Sequence, residues 1–437
     1  MRMSEAVPTR SMPLASLPPA LLLAALLHLS LAVPATVADA VDREAGDSGA
    51  AHPHIEIGDE RGDETWPLQM HLDEAVEAKL ETLSERAHNR YRNRKQRREM
   101  AVLAWTPPDT ERIRGVLIIA MLAHSIAFGE HEAMRKVAKR HELGIIYLRS
   151  GMRRELIPGI LEQIAGRTGI AEYRHAPWVT WGMSANGRFP TYMTWAHPDR
   201  SIASIVWHGD VPPWGGDYPP DWARFDHTHL HVNLNGQSEW DRTWHRHVRP
   251  GLLNYRVHKG WLPHQVVAPG TGHGDHPEGS LGQRHGYTVE RTEDDPVRRM
   301  SRYEGFDYMA LFIDKAVSLR LPDAGYPTEE PLELQQVDEE RGYLIHPRAI
   351  EHLLDEPWRP LQKSEDGKTW IIDPQQRGDA EVEREEIEAP LIQPAGEVEP
   401  DQRKHRFWVA DRELAEAWWH LHAIDDQPFP LDRTQRR

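Results

Sequence analysis

The stretch that decides the fold of this chain is residues 182–187, Gly-Met-Ser-Ala-Asn-Gly. It follows the apolar run 177–181, Pro-Trp-Val-Thr-Trp, which predicts a buried strand, and it precedes residues 188–197, which predict the first turns of a helix. A serine between small residues at such a corner is typical of a sharp turn that exposes the hydroxyl at the carboxyl edge of a parallel sheet. The N-terminus of the following helix favours negative charge there. Ser184 is therefore a candidate nucleophile.

Strands and helices alternate on both sides of this corner. The sequence predicts strands at 100–105, 115–122, 144–148, 178–181, 202–207, 229–234 and 265–268, and helices at 130–143, 156–166, 188–198 and 308–319. This alternation implies right-handed crossovers and an α/β fold with a mostly parallel central sheet and helices on both faces. In such sheets ligands bind beyond the carboxyl ends of the strands.

A serine hydroxyl needs a histidine base, and the histidine needs a carboxylate that orients it. His273 lies in the glycine-rich stretch 269–274, directly after the predicted strand that ends at residue 268. Glu239 follows the strand that ends at residue 234, and its chain order between Ser184 and His273 is the one expected for a serine at a strand-to-helix corner. Asp241 and Asp210 are alternative acids, because each also lies in a loop after a strand.

The segments 182–187, 235–239 (Asn-Gly-Gln-Ser-Glu) and 270–274 (Gly-Thr-Gly-His-Gly) together resemble the α/β-hydrolase superfamily. The likeness is greatest to its dienelactone-hydrolase-like and esterase-like exported bacterial members, and it covers residues 100–322. The resemblance implies the α/β-hydrolase fold and an enzyme that hydrolyses carboxylic esters without a cofactor or metal. It implies that Ser184 is the nucleophile, His273 the base and Glu239 the acid.

The same resemblance implies two donors for the oxyanion. One is the backbone N–H of Ala185, and the other comes from the loop after the strand at 115–122, where Ala123 or His124 is the nearest match. Two departures from the family pattern stand out. Asn186 occupies the place where the family has glycine, with Gly187 one residue later, and the loop after residue 122 lacks the usual His-Gly pair.

Histidine and tryptophan are unusually frequent in the loops after the strands. The 26 histidines include clusters that could bind a transition metal, although none has an HExxH spacing: His227, His229 and His231; His245 and His247; His273 and His276 with Asp275. Five tryptophans could form an aromatic wall for a sugar ring or an aromatic acyl group, or could pack in the core and a lid: Trp207, Trp214, Trp222, Trp240 and Trp244.

Composition excludes several classes of protein. Among the 437 residues, 68 acids and 52 bases give a net charge of −16, which argues against a nucleic-acid partner. There is no cysteine, so disulfides, thiolate nucleophiles and cysteine-based zinc sites are excluded. The apolar run 17–33 follows Arg2 and Arg10 and ends before the small-residue pattern 38–40, which predicts an export signal. We therefore expect a bacterial periplasmic or extracellular protein without stable membrane insertion after signal removal.

The predicted organisation has four parts. Residues 1–40 form the signal peptide, 41–99 a flexible lead-in and an N-terminal helix, 100–322 the α/β-hydrolase catalytic domain, and 323–437 an accessory C-terminal segment. The acidic, proline-punctuated stretch 381–401 is expected to be a solvated loop. The main functional hypothesis is hydrolysis of a small-molecule or glycan-linked ester. A non-catalytic secreted binding protein of the same fold and a metal-assisted hydrolase that uses the histidine cluster are the alternatives.

Overall fold

The computed structural model describes thirteen stretches of the chain, and all of them lie in one compact unit, Asp59–Arg437. The described residues are 65–71, 101–120, 122, 124–148, 154–211, 229–239, 244–276, 279–280, 299–354, 362–363, 370–371, 390–422 and 429–431. The predicted signal peptide and the predicted helix at 72–98 lie outside them.

Eight strands form the central sheet. They are β1 Leu68–His71, β2 Ala101–Trp105, β3 Gly115–Ala120, β4 Leu143–Leu148, β5 Trp178–Met183, β6 Ser201–Trp207, β7 Leu230–Gly236 and β8 Leu262–Ala268. Their order across the sheet is β1-β2-β4-β3-β5-β6-β7-β8, with β2 antiparallel to both of its neighbours and all later pairs parallel. This mostly parallel sheet confirms the predicted α/β-hydrolase fold.

Helices cover the sheet on both faces. They are α1 Ser125–Glu130, α2 Glu132–Arg140, α3 Ile157–Thr168, α4 Arg188–Ala196, α5 Arg249–Lys259 and α6 Arg302–Arg320. Along β3, Val116 and Ile118 join a buried cluster with Ile160 of α3. The next residue, Ile119, points to the opposite face, where its side chain reaches the backbone of Gly129 in α1. Because apolar side chains cover both faces, every residue of β3 is buried.

Three elements of the sheet region were not predicted. The short helix α1 precedes the predicted helix at 130–143. The four-residue strand β1 lies within the stretch assigned to the lead-in, and it is too short for a two-residue repeat to stand out. The helix α5, which crosses over between β7 and β8, was not predicted. Its residues 249–259 include Pro250, Gly251 and several basic side chains, which hide the apolar stripe of Leu252, Leu253 and Tyr255.

The C-terminal segment contains regular structure and packs on the last strand of the sheet. Four two-residue strands form two antiparallel pairs, β9 Asp275–His276 with β10 Gly279–Ser280 and β12 Gln362–Lys363 with β13 Trp370–Ile371. A small antiparallel sheet is formed by β11 Tyr343–Ile345, β14 Ile392–Pro394 and β15 Phe407–Val409, in the order β14-β11-β15. The short helix α7 Pro400–Arg403 and the longer α8 Arg412–His422 follow β14 and β15. The prediction of a loop at 381–401 is therefore wrong for residues 392–394, which pair with β11, and for residues 400–401, which begin α7.

Two side chains of α8 bond to the backbone of β8. The indole N–H of Trp418 donates to the carbonyl of Gln265 at 2.7 Å, and Nε2 of His422 accepts from the N–H of Val267 at 2.8 Å. Since β8 ends the sheet, these bonds satisfy backbone groups that no further strand pairs. Within the part of the chain that the structure describes, no helix has the length and apolar character needed to cross a membrane.

Candidate active site

Ser184 stands at a sharp turn between β5 and α4. Its backbone has φ 48°, a left-handed conformation that is rare for residues other than glycine. A single 3₁₀ turn, Ser184–Asn186, then leads into the helix. Residues held in this region of backbone space cluster at functional sites, where the surrounding packing maintains them. The turn leaves the Ser184 side chain half-buried at the carboxyl end of β5.

Two glycines allow the chain to turn this tightly. A Cβ atom at Gly182 would overlap the carbonyl oxygen of Asn186. A Cβ atom at Gly187 would lie 2.9 Å from the Cα atom of Gly209, in the loop after β6. The close approach that the family pattern assigns to the position of Asn186 thus occurs one residue later in this chain.

The structure brings Ser184, His273 and Glu239 together. The Ser184 Oγ atom lies 2.8 Å from His273 Nε2, and His273 Nδ1 lies 2.8 Å from Glu239 Oε1. Because an ionised carboxylate only accepts, Nδ1 of His273 carries the proton, and its Nε2 accepts from the serine hydroxyl. The loops after β5, β7 and β8 supply the three side chains, as the sequence analysis expected from the strand ends.

Glu239 is fully buried in this arrangement. Burial raises the pKa of its carboxyl group, but His208 and His273 outweigh burial and lower the pKa to about 2. The backbone N–H of Gly236 donates a further hydrogen bond to Oε2 at 2.9 Å. The carboxylate is therefore ionised at neutral pH and held by three donors.

A second histidine binds the same carboxylate. His208 Nδ1 lies 2.9 Å from Glu239 Oε2, and its Nε2 lies 3.0 Å from Nε2 of His276, whose Nδ1 contacts the carbonyl of Met300 at 3.1 Å. His208 was not among the residues to which the sequence pointed. The available signal was its position directly after β6, two residues before the alternative acid Asp210.

The two candidate oxyanion donors lie in the loops after two neighbouring strands, β5 and β3. Ala185 follows Ser184 in the 3₁₀ turn and is exposed. His124 immediately precedes α1 and is buried, with its ring 5.9 Å from that of His276. Burial, with smaller effects of Arg302 and the neighbouring histidines, lowers the pKa of His124 to about 3, so its imidazole is neutral. Ala123 lies outside the described residues.

The alternative acids do not join the triad in the described part of the chain. Asp210 accepts a hydrogen bond from Arg188 at 2.6 Å, and its side chain is 32% exposed. Since Glu239 already binds His273 Nδ1, Asp210 is not the carboxylate that orients this histidine. Asp241 lies outside the described residues.

The histidine cluster expected from the sequence is divided in the structure. His229 Nε2 and His231 Nδ1 both contact the hydroxyl of Ser204, at 2.8 and 2.6 Å, and all three are buried in the core. His227 is outside the described residues. Among the described residues, His208, Glu239 and His273 are close enough to hold a metal ion, with donor atoms within 4.8 Å of one another. These atoms already face each other as hydrogen-bond partners, so we interpret the group as a hydrogen-bonded chain.

Two of the five tryptophans belong to the core. Trp207 and Trp244 are buried, with Trp207 stacked on Trp181 and the indole N–H of Trp244 bonded to the carbonyl of Gln237 at 2.9 Å. The positions of these two tryptophans support a role in core packing and not in an aromatic wall for a substrate. Trp214, Trp222 and Trp240 lie outside the described residues.

Comparison with solved structures finds esterases and serine hydrolases. An esterase of Pyrobaculum calidifontis is 12% identical, with a TM-score of 0.31, and the match covers 49% of this chain and 80% of the esterase. A fluorophosphonate-binding serine hydrolase of Staphylococcus aureus is 9% identical, with a TM-score of 0.30 and coverages of 40% and 86%. A poly(3-hydroxybutyrate) depolymerase from Bordetella parapertussis is 12% identical, with a TM-score of 0.33 and coverages of 52% and 88%.

These neighbours share the α/β-hydrolase fold, which the strand order of this chain shows independently. At these identities and TM-scores the likeness supports no further conclusion about this chain. No protein-family model matches the sequence, and the search of curated proteins found no match.

Proposed function

We propose that this protein is a serine hydrolase that cleaves carboxylic esters through an acyl-enzyme on Ser184. The observation that carries the proposal is the run of two 2.8 Å hydrogen bonds from the Ser184 hydroxyl through His273 to Glu239. The left-handed backbone at Ser184 supports it, because a strained turn at a candidate nucleophile is the geometry of a nucleophile elbow.

In this mechanism His273 Nε2 takes the proton of the Ser184 hydroxyl as Oγ attacks the acyl carbonyl. Glu239 holds His273 in the tautomer with its proton on Nδ1 and stabilises the imidazolium that forms. His273 then gives the proton to the leaving alkoxide as the ester C–O bond breaks. A water molecule, deprotonated by the same nitrogen, then attacks the acyl carbon. The bond between this carbon and Ser184 Oγ breaks, His273 returns the proton to Oγ, and the acid leaves.

The negative charge on the carbonyl oxygen needs donors. We assign one to the backbone N–H of Ala185. The second comes from the loop after β3, where His124 is the described residue that matches the family position. A donor in such a site lowers the barrier by roughly 3 to 4 kcal/mol, and its loss costs about 100- to 1000-fold in rate.

Covalent labelling tests the nucleophile directly. A fluorophosphonate probe should add to the folded protein, and peptide mass spectrometry should locate the adduct at Ser184. The Ser184→Ala variant should not react. Ser318→Ala is the matched control, because Ser318 is an exposed serine on α6 that bonds only locally, to the carbonyl of Asp314. Folded wild-type protein that stays unlabelled would contradict the proposal.

Two other functions make different predictions. A non-catalytic binding protein of this fold would not hydrolyse any member of a panel of short p-nitrophenyl esters. A metal-assisted hydrolase would be inhibited by chelators and would keep its activity in the Ser184→Ala variant. The proposed serine mechanism requires ester hydrolysis that resists chelators and is lost with Ser184.

We also propose that the protein is exported and that its substrate is a small-molecule or glycan-linked ester. The apolar run 17–33 and the small-residue pattern 38–40 support export. Expression of the full chain in a bacterium, followed by N-terminal sequencing of the protein from periplasm and medium, tests this. A mature chain that begins after residue 40 is the expected result, and retention of Met1 in the cytoplasm would contradict it.

A further inference from the structure

One buried carboxylate holds two histidines in this site. Glu239 Oε1 faces His273 Nδ1 at 2.8 Å, and Oε2 faces His208 Nδ1 at 2.9 Å. The side chains of Glu239 and His208 have no exposed surface. Bulk water therefore does not reach either side chain. The direction of the hydrogen bonds at His208 follows from the groups at the two ends of the hydrogen-bonded row, which are Glu239 and the carbonyl of Met300.

The carbonyl of Met300 fixes the direction of the hydrogen bond between His276 and His208. Its backbone carbonyl can only accept, so Nδ1 of His276 carries a proton and donates to it. Burial, with a further effect of His208, holds the pKa of His276 well below its usual value, so this imidazole is neutral. Nε2 of His276 then has a lone pair, and the 3.0 Å contact requires that His208 donates from its own Nε2.

The carboxylate of Glu239 fixes the direction of its hydrogen bond with His208 Nδ1. Its carboxylate is ionised, and Oε2 already accepts from the N–H of Gly236. A bare Nδ1 of His208 would place a lone pair 2.9 Å from this oxygen, which is repulsive. Nδ1 of His208 therefore carries a proton too. With both ring nitrogens protonated, His208 is an imidazolium.

We propose that His208 is a charged positioning residue, whose buried imidazolium holds Glu239 in place beside His273. His208 contacts the acid and not the reacting atoms, so it acts through Glu239 and His273. The structural part of this inference stands without the proposed function, whereas its kinetic consequence rests on ester hydrolysis by Ser184.

The kinetic consequence follows from charge. The ring of His208 lies 5.8 Å from that of His273. When His273 takes the serine proton, two positive rings share one carboxylate, so removing the charge of His208 changes the electrostatic environment of the base. Among the described residues, the titratable and charged groups that face His208 or its partner His276 include Glu239, His273, His124 and Arg302.

Nitrogen NMR of the full-length protein labelled with ¹⁵N-histidine tests the charge directly. We expect His208 to show two protonated ring nitrogens from about pH 6 to about pH 8, with its signal assigned by its loss in a His208→Asn variant. His264 is the internal reference, since it is equally buried and bonded to the Tyr308 hydroxyl, and burial lowers its pKa to about 3. A His208 signal with one protonated nitrogen would overturn the inference.

Kinetics of the His208→Asn variant test the consequence. Asparagine tolerates the left-handed backbone of residue 208, φ 48°, and can still donate one N–H to Glu239, but it carries no charge. The acid limb of the kcat/KM profile should move to higher pH by about one to two units, as expected for removal of a unit charge at this distance in an effective dielectric of about 20. His264→Gln should leave the limb in place.

The outcomes separate the two proposals. If the wild-type protein hydrolyses no ester, the proposed function is contradicted. The NMR spectrum would still decide the charge of His208. An active wild-type enzyme with an unchanged acid limb in His208→Asn would contradict the inference alone. If the variant does not fold, the His208 signal is assigned in the wild-type protein by through-bond correlation of its ring with its own backbone, and the number of protonated ring nitrogens still decides the charge.

Discussion

Gly187 and Gly209 meet at the crossing between the start of helix α4 and the end of strand β6. A Cβ atom on Gly187 would lie 2.9 Å from the Cα atom of Gly209, closer than real Cβ atoms come to other heavy atoms. The backbone of Gly187 has φ −60°, which any residue adopts, so the need for glycine here is purely steric. This contact explains how the chain accommodates Asn186 where the family pattern has glycine.

Replacing Gly187 with alanine should therefore push α4 away from β6. We expect the free energy of unfolding to fall by about 1 to 3 kcal/mol, the usual cost of an extra methyl group in a packed region. Labelling of Ser184 by the fluorophosphonate probe should slow by at least about tenfold, because the turn that carries its hydroxyl shifts. Urea unfolding and the rate of labelling are the measurements.

Gly166→Ala is the matched control for this prediction. Gly166 lies in α3, and a Cβ atom there would have no heavy atom within 4 Å. Alanine should stabilise the protein by about 0.5 to 1 kcal/mol, because glycine loses more backbone entropy in a helix. Equal destabilisation by the two substitutions would show that the crossing with Gly209 is not what requires glycine at 187.

Glu239→Gln should reduce kcat on a short ester by about 1,000- to 10,000-fold. The amide cannot stabilise the imidazolium of His273, and its NH₂ group can favour the wrong tautomer of that ring, as for the corresponding change in the serine protease triad. Asp210→Asn should change kcat by less than about tenfold, since Asp210 bonds to Arg188. A larger loss in Asp210→Asn than in Glu239→Gln would reverse the assignment of the acid.

Stability should fall as the pH falls below about 6.5, because several histidines are buried and neutral. Burial lowers the pKa of His231 and His264 to about 3. Between the usual value of 6.5 and 3, the unfolded chain binds a proton at each of these positions and the folded chain does not. Each histidine therefore reduces the free energy of unfolding by about 1.4 kcal/mol per pH unit in this window.

The variant His264→Gln isolates one of these contributions. Glutamine can keep a hydrogen bond with the Tyr308 hydroxyl but cannot take up a proton. Between about pH 6 and about pH 5, its free energy of unfolding should depend on pH less steeply than that of the wild type, by about 1.4 kcal/mol per unit. Urea titrations at the two pH values measure this, and identical slopes would contradict it.

The C-terminal helix α8 should contribute to stability and not to chemistry. Trp418→Phe removes the bond from the indole to the Gln265 carbonyl and leaves that edge group of β8 without its partner. We expect a loss of about 1 to 3 kcal/mol in the free energy of unfolding, with kcat within about twofold of wild type. A large fall in kcat, measured where the variant is fully folded, would instead show that α8 affects the reaction.

The alternation of apolar runs and amphipathic stretches was sufficient to predict most of the sheet and its helices. It failed where the pattern is short or hidden. Strand β1 has only four residues, and α5 carries Pro250 and Gly251 in its first turn. Residues 392–394 are ordered by pairing with Tyr343–Ile345, about fifty residues away in the chain, and a window of sequence cannot contain that information.

By itself, the sequence determined the corner at Ser184 and the loops that carry Glu239 and His273, because strand ends and glycine-rich turns are local features. Only the tertiary structure decided which of the candidate acids reaches His273, and that Glu239 also binds His208. The order of strands in the sheet sets which loops adjoin, and β6, β7 and β8 lie side by side. Which loops lie next to each other depends on the packing of the whole sheet, so no single segment of sequence encodes it.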